Sequence, residues 1–172
     1  MPLDEEMEAK KRALDAFDPS SVLPGLSEIE SSGGKFREHD VNKSGLQKGT
    51  RAVSSYGLMP NTVYEYTKRD KEFQKTPQGQ AILSSNGDPE SINEITRDVN
   101  NDDVIMKSLL AEQNKRLNPH SSQYGVDAEV ANVLANRRGV AGAIKSMRDG
   151  SYKEDPYVIK YLQLKNKTIP VS

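Results

Sequence analysis

Three Asp-Pro pairs punctuate this chain: Asp18-Pro19, Asp88-Pro89 and Asp155-Pro156. Each sets a carboxylate where it can accept from the free N–H groups at a helix start. The proline that follows has the fixed φ suited to the first helical position. A chain marked in this way folds into short helices. Between the marks, apolar residues recur at helical spacing. Val22, Leu23, Leu26 and Ile29 lead to Gly33-Gly34, which ends that pattern around Glu30 to Ser32. Another helix is predicted from Asn61-Thr62, where Thr62 and Glu65 fit a capping box. After Asp88 the inward residues are Ile92, Ile95 and Val99. Asp102 or Asp103 caps a helix that carries Ile105, Met106, Leu109 and Leu110 inward and ends at Asn118-Pro119. Asp127 opens the next, with Val130, Val133 and Leu134 inward and Gly139 just past its last turn. Ala141, Ile144 and Met147 mark residues 140–149, and Val158, Tyr161 and Leu162 the helix after Asp155. The polar stretch 74–88, with Gly79 and Gly87, reads as loop. With almost no alternating strand pattern, the expectation is an all-α, α-dominated fold of seven or eight short helices.

Two segments stand apart. Residues 3–17 place Asp4, Glu5, Glu6 and Glu8 first and Lys10, Lys11 and Arg12 later, the order that complements a helix macrodipole. Their apolar stripe is thin: Leu3, Met7, Leu14 and Phe17. The expected division is a helical extension over 1–18, a main domain over 19–166 and a tail over 167–172. Residues 33–56 lack any sustained period and are rich in Gly, Ser, Asn and Asp. They are predicted as a long ordered loop with room for a small hairpin, and long loops inside compact domains are usually functional.

Composition narrows the function. Leu, Ile, Val and Phe make up about 21% of the 172 residues, enough for a lean core. The net charge is −1, without the basic excess a general nucleic-acid binder needs. There is no cysteine and there are only two histidines, so disulfide frameworks and Cys- or His-rich metal sites are excluded. No metal and no organic cofactor is expected. No run of eighteen apolar residues exists, so no membrane partner is expected either. The opening MPLDEEMEAKKR is charged and lacks the apolar stretch of a secretory signal, which predicts synthesis into a cytoplasm.

One residue is oddly placed for its chemistry. Glu30 closes an amphipathic helix, where the helix end carries partial negative charge and apolar neighbours desolvate a carboxylate. Both effects favour the protonated form, which is the form a general acid needs. Most glutamates at helix ends are simply solvated, and Glu30 alone would carry no function. The segment Ala52-Val53-Ser54-Ser55-Tyr56-Gly57-Leu58-Met59-Pro60-Asn61-Thr62 has an apolar wall in Tyr56, Leu58 and Met59, which ordinary packing explains equally well. Ala135-Asn136-Arg137-Arg138-Gly139 and Tyr157-Val158-Ile159-Lys160 read singly as helix ends.

In this order, though, the set resembles the lysozyme-like domain of soluble lytic transglycosylases, to which goose-type lysozymes are related. That family has a helix ending in Glu-Ser, here Glu30-Ser31. It has a segment of the type Ala-Val-Gly-Leu-Met-Gln-Leu-Met-Pro-Ala-Thr, matched by Ala52-Val53 and by Leu58-Met59-Pro60-Asn61-Thr62. Its Ala-Tyr-Asn-Ala-Gly falls on Ala135 to Gly139, and its Tyr-Val-x-Lys on Tyr157 to Lys160. The similarity covers about residues 22–165. Gly57 stands where the family has Gln, Ser54 and Ser55 replace Gly and Leu, and Asn136, Arg137 and Arg138 replace Tyr, Asn and Ala. The wording of 56–62 is most similar to divergent phage members.

The resemblance implies cleavage of peptidoglycan glycan strands between N-acetylmuramic acid and N-acetylglucosamine. It assigns Glu30 as general acid and then base, and Tyr157 as its orienting partner. Ser31, Tyr56, Gly57 and Met59 would contact the sugars. A lysozyme-type hydrolysis instead calls for a second carboxylate, for which Asp40 is the early candidate, although a solvated loop acid is the plainer reading of it. His39 and His120 have no partners at ligand spacing and read as surface or loop residues. The implied setting is a phage enzyme made in the host cytoplasm and acting at the bacterial wall. It would be carried in the virion, beside tail or baseplate proteins, or released at lysis. Two other readings remain: a virion structural protein that kept the fold and lost the activity, and a helical adaptor docking through 3–17.

Overall fold

The computed structural model describes residues 4–8, 17–35, 37–40, 42–43 and 49–168. Residues 4–8 are helical; of the expected 3–17 helix, residues 3 and 9–16 lie outside the described residues and Phe17 is not helical, and the end of the 167–172 tail also lies outside the described residues. Eight further α-helices follow: α1 (Leu23–Ser31), α2 (Pro60–Arg69), α3 (Lys71–Gln74), α4 (Pro77–Ser84), α5 (Pro89–Thr96), α6 (Val99–Tyr124), α7 (Ala128–Asp149) and α8 (Pro156–Thr168). Two 3-10 turns, Pro19–Ser21 and Ser151–Glu154, precede α1 and α8. No strand occurs among the described residues, so the fold is all-α.

The chain divides into two compact units, Leu26–Leu109 and a second made of Met1–Gly25 with Leu110–Ser172. In the Leu26–Leu109 unit, α2, α3, α4 and α5 pack on one another. Val63, Tyr66, Phe73, Ile82 and Ile92 are buried there, with the rings of Tyr66 and Phe73 5.1 Å apart. Asp88 caps α5 as its Asp-Pro pair predicts, accepting from Ser91 N–H at 3.0 Å. The inward face of α5 is Ile92, Asn93 and Thr96, however, and Val99, expected inward, is 56% exposed.

Three other expectations are corrected in this unit. Helix α2 starts at Pro60, with Met59 as a cap that makes no side-chain bond, so Thr62 sits inside the first turn rather than capping it. Residues 74–88 are not all loop, because α4 occupies Pro77–Ser84 and only the short connections on either side are non-helical. Thr76 caps α4 by accepting from Gly79 N–H, and Pro77 takes the first helical position. Gly79 belongs to that helix because the Phe73 carbonyl occupies the place where a Cβ would stand. Helix α6 begins earlier than Asp102: the Asp98 carboxylate accepts from Asn100 N–H (2.8 Å) and Asn101 N–H (3.3 Å), which leaves Asp102 inside the helix and fully buried.

In the second unit α7, the Ser151–Glu154 turn and α8 pack together. Here α6 continues through Pro119 to Tyr124, beyond its expected end. Asp127 caps α7 through Glu129 N–H, and Gly139 breaks that helix with φ 76° and ψ 167°, a backbone conformation open to glycine. After the break Ala143 and Met147 are buried and Ala141 is exposed. Asp155 caps α8 by accepting from Tyr157 N–H at 2.9 Å and Val158 N–H at 3.2 Å. Val158 and Tyr161 face the core and Leu162, expected with them, is 40% exposed.

Tyr161 gives this unit a pH dependence. Its ring is fully buried over Gly25, where any Cβ would strike it, and its hydroxyl donates to the Glu129 carboxylate. Burial first, and then that bond to Glu129, push the phenol far above the ordinary tyrosine value of 10.0. The unfolded chain therefore loses this proton first as the pH passes 10, and stability falls from there upward. The expected slope is about 1.4 kcal/mol per pH unit for this tyrosine. Urea midpoints at about pH 9 and pH 11 check it. Tyr161→Phe should lower the midpoint at the lower pH and flatten the fall above it; an unchanged slope would count against this origin.

Candidate functional site

The loop that follows α1 is organised by a short antiparallel ribbon. Isolated bridges join Glu38 to Val53 and Val53 to Leu58. His39 N–H donates to the Ala52 carbonyl (3.1 Å), Ser54 N–H to the Arg37 carbonyl (2.8 Å) and Asn42 N–H to the Thr50 carbonyl (2.8 Å). Val53 and Leu58 exchange both of their backbone bonds, at 3.0 and 2.8 Å, which closes residues 54–57 into a tight turn. The small hairpin expected within 33–56 thus takes the form of bridges rather than strands.

That turn is fastened to the end of α1. Ser31 is buried, and its hydroxyl donates to the Ser55 carbonyl at 2.7 Å while accepting from Gly34 N–H at 2.9 Å. The neighbouring Glu30 is half-buried. Its Oε2 lies 2.9 Å from the point where a Cβ on Gly57 would stand. Gly57 has φ +64°, so both its backbone and the nearby carboxylate call for glycine. A residue with any side chain at 57 would push the carboxylate away. The sequence marked Gly57 as a missing amide, and the structure gives it a positive reason to be there.

The other side of the turn is held by buried charge. Asp102 accepts from Arg37 Nη1 at 2.9 Å and from Ser55 N–H at 3.2 Å, both on Oδ2. Arg37 also donates to Ser55 Oγ (2.8 Å) and to the carbonyls of Thr96 (3.1 Å) and Arg97 (2.7 Å). Burial raises the Asp102 carboxyl above the ordinary aspartate value, and Arg37 and the Ser55 N–H only partly offset it. The Tyr56 ring is buried and its hydroxyl donates to Asp103 Oδ1 at 2.5 Å. Tyr56 therefore shows solvent little of the flat face that sugar stacking uses. Met59 is half-buried, with Asn42 Nδ2 donating to its sulfur at 3.7 Å. Ser31, Tyr56, Gly57 and Met59 all belong to the same unit as Glu30.

Two members of this region were not legible in the sequence as parts of a site. His39 is half-buried beside the turn, with Nε2 3.3 Å from the Ser54 carbonyl and Cε1 3.7 Å from the same Cβ position on Gly57 that Glu30 approaches. Asp40, the early candidate for a second carboxylate, is exposed. Arg37 is the hub of the turn, and nothing in its sequence neighbourhood marks it.

Tyr157 belongs to the other unit. It is half-buried at the start of α8, where its hydroxyl accepts from Asn136 Nδ2 at 3.0 Å. With Arg137, Arg138, Asp155 and Pro156 it lines an open cavity of about 470 Å³. Arg138 donates to Asp155 at 2.5 Å. Burial pushes the Asp155 carboxyl up, but Arg138 and the N–H groups of Val158 and Tyr157 outweigh it and hold the carboxyl below the ordinary value. His120 is half-buried on α6.

Among the described residues no group of three or more His, Asp or Glu side chains is placed to hold a metal ion. No described helix is long and apolar enough to cross a membrane. No family model, no curated protein and no solved structure matches this chain.

Proposed function

We propose that this protein cleaves the glycan strands of peptidoglycan between N-acetylmuramic acid and N-acetylglucosamine by lytic transglycosylation, with Glu30 as the proton-transferring residue. The observation that carries the reading is the seat of the Glu30 carboxylate. It closes α1, stays half-buried, and lies against the bare α-carbon of Gly57 in a turn tied to α1 by Ser31. The ordered motifs that resemble the lytic transglycosylases supply the substrate class.

The chemistry needs one carboxyl group. Protonated Glu30 gives its proton to the glycosidic oxygen as the bond to the anomeric carbon breaks and that carbon gains oxocarbenium character. The muramyl C6 hydroxyl then attacks the anomeric carbon, and its proton passes to the Glu30 carboxylate. The products are a 1,6-anhydro end and a free 4-hydroxyl, with Glu30 returned to its starting form. Fixing the carboxyl against a turn contributes by orientation, because a proton donor displaced by 1 Å costs about a hundredfold in rate. The setting is proposed as a phage protein, made in the host cytoplasm and delivered to the wall in the virion or at lysis.

The test is digestion of purified sacculi by the full chain, with mass analysis of the released muropeptides. Release of anhydro-ended fragments is expected. Intact sacculi after incubation with folded protein would overturn the reading and leave the alternative of a virion structural protein with the same fold.

A further inference from the structure

The carboxylate of Glu30 is not alone beside Gly57. One point, the position a Cβ on Gly57 would take, lies 2.9 Å from Glu30 Oε2 and 3.7 Å from His39 Cε1. The two side chains therefore converge on one glycine from different elements, Glu30 from α1 and His39 from the ribbon. Both side chains belong to half-buried residues.

The hydrogen bond of the ring settles which nitrogen is available for chemistry. His39 Nε2 lies 3.3 Å from the Ser54 carbonyl. A carbonyl oxygen only accepts, so Nε2 carries the proton and the neutral ring keeps its lone pair on Nδ1. The same bond anchors the ring to the turn that seats Glu30. An imidazole held in this tautomer, next to a carboxyl that donates protons, is the arrangement of a base that activates water.

We propose that His39 is a second catalytic residue of this site, a general base that opens a hydrolytic route beside transglycosylation. The inference rests on the glycan-cleaving reading of Glu30. Glu30 protonates the leaving oxygen as the glycosidic bond breaks. A water then adds to the anomeric carbon in place of the C6 hydroxyl, and its proton goes to His39 Nδ1. That proton returns through solvent to reset Glu30, so one water is consumed and a reducing end forms. Transglycosylation has no use for this base, because the substrate supplies the nucleophile and Glu30 takes its proton back. The role of His39 is therefore read in the kind of product and not only in the rate.

The experiment compares the full chain with His39→Gln on purified sacculi, counting reducing and 1,6-anhydro ends by mass spectrometry. A glutamine amide can still donate to the Ser54 carbonyl. Expected are both kinds of end from the wild type, and a fall of about a hundredfold in reducing ends from the variant, the usual contribution of a positioned base. Anhydro ends should stay within a few fold. An unchanged ratio in the variant, or anhydro ends alone from the wild type, overturns the proposal and leaves the Glu30 reading standing. No cleavage at all by the wild type overturns both. Should that variant not fold, His39→Asn takes its place, and an unchanged ratio there overturns the proposal equally.

Discussion

Glu30→Gln should lower glycan cleavage by a factor of about 10² to 10⁴, the range a positioned general acid contributes. The substitution keeps the size and shape of the side chain and removes its transferable proton. Glu30 is half-buried and lies 2.9 Å from the Cβ position of Gly57, so an amide of equal volume fits where the carboxyl sat. Thermal stability should stay within about 1 kcal/mol of the wild type, as for most substitutions that create neither a cavity nor a buried charge. Muropeptide release and a melting curve on the same preparation separate chemistry from folding. If the variant digests sacculi at the wild-type rate, Glu30 is not the proton donor. If activity and the melt are lost together, the effect is structural and the assignment loses its support.

The helical class of this fold was readable because capping chemistry is local. Asp18, Asp88, Asp127 and Asp155 each accept from an N–H two or three residues on, and each bond was legible in the residue types alone. Errors came where tertiary contacts outweighed local signals. The polar run around Gly79 looked unstructured, yet Thr76 and Pro77 mark a start, and the close approach of Phe73 explains the glycine. Asp102 looked like a cap because aspartate is among the preferred capping residues. It is instead the buried partner of Arg37, 65 positions earlier in the chain, and no local pattern announces such a pair.

The candidate site was legible to a similar degree. Glu30, Ser31 and Gly57 lie close in space as their motifs suggest. The role of Ser31 is carried by its bond to Ser55, which sequence spacing does not reveal. His39 read as a surface or loop residue because its partner surface is a backbone carbonyl and a glycine, neither of which leaves a mark in a motif.

Asp102→Ala should lower the stability of the Leu26–Leu109 unit by about 3 kcal/mol, the cost of leaving one member of a buried ion pair without its partner. The Asp102 side chain is fully buried and that of Arg37 is 19% exposed, so water replaces little of what is lost. The Ser55 N–H loses its acceptor, and Arg37 keeps only neutral oxygens: Ser55 Oγ and the Thr96 and Arg97 carbonyls. A native stability of about 5–15 kcal/mol is normal for a domain, so the urea midpoint should fall markedly. The wild-type pair is not without cost. Asp102 Oδ1 is buried with no hydrogen-bond partner in the protein, and burial raises this carboxyl above its ordinary value of 3.8. A carboxyl raised in the folded state binds protons more readily there than in the unfolded chain. Its contribution therefore favours the fold at low pH and weakens as the pH climbs from 3.8 through the raised value. Asp102→Asn should remove that trend while keeping an acceptor for the Ser55 N–H, and so cost less than alanine. The site should feel the change through Ser55, whose carbonyl holds Ser31 next to Glu30. Well below the melting temperature, Asp102→Ala should lower kcat about tenfold with little change in KM, because orientation of the donor is lost rather than contact with the strand. The asparagine variant should restore most of it. Equal urea midpoints for the wild type and Asp102→Ala would show that the turn is held without this pair, and a fall in stability with kcat untouched would separate the pair from the site.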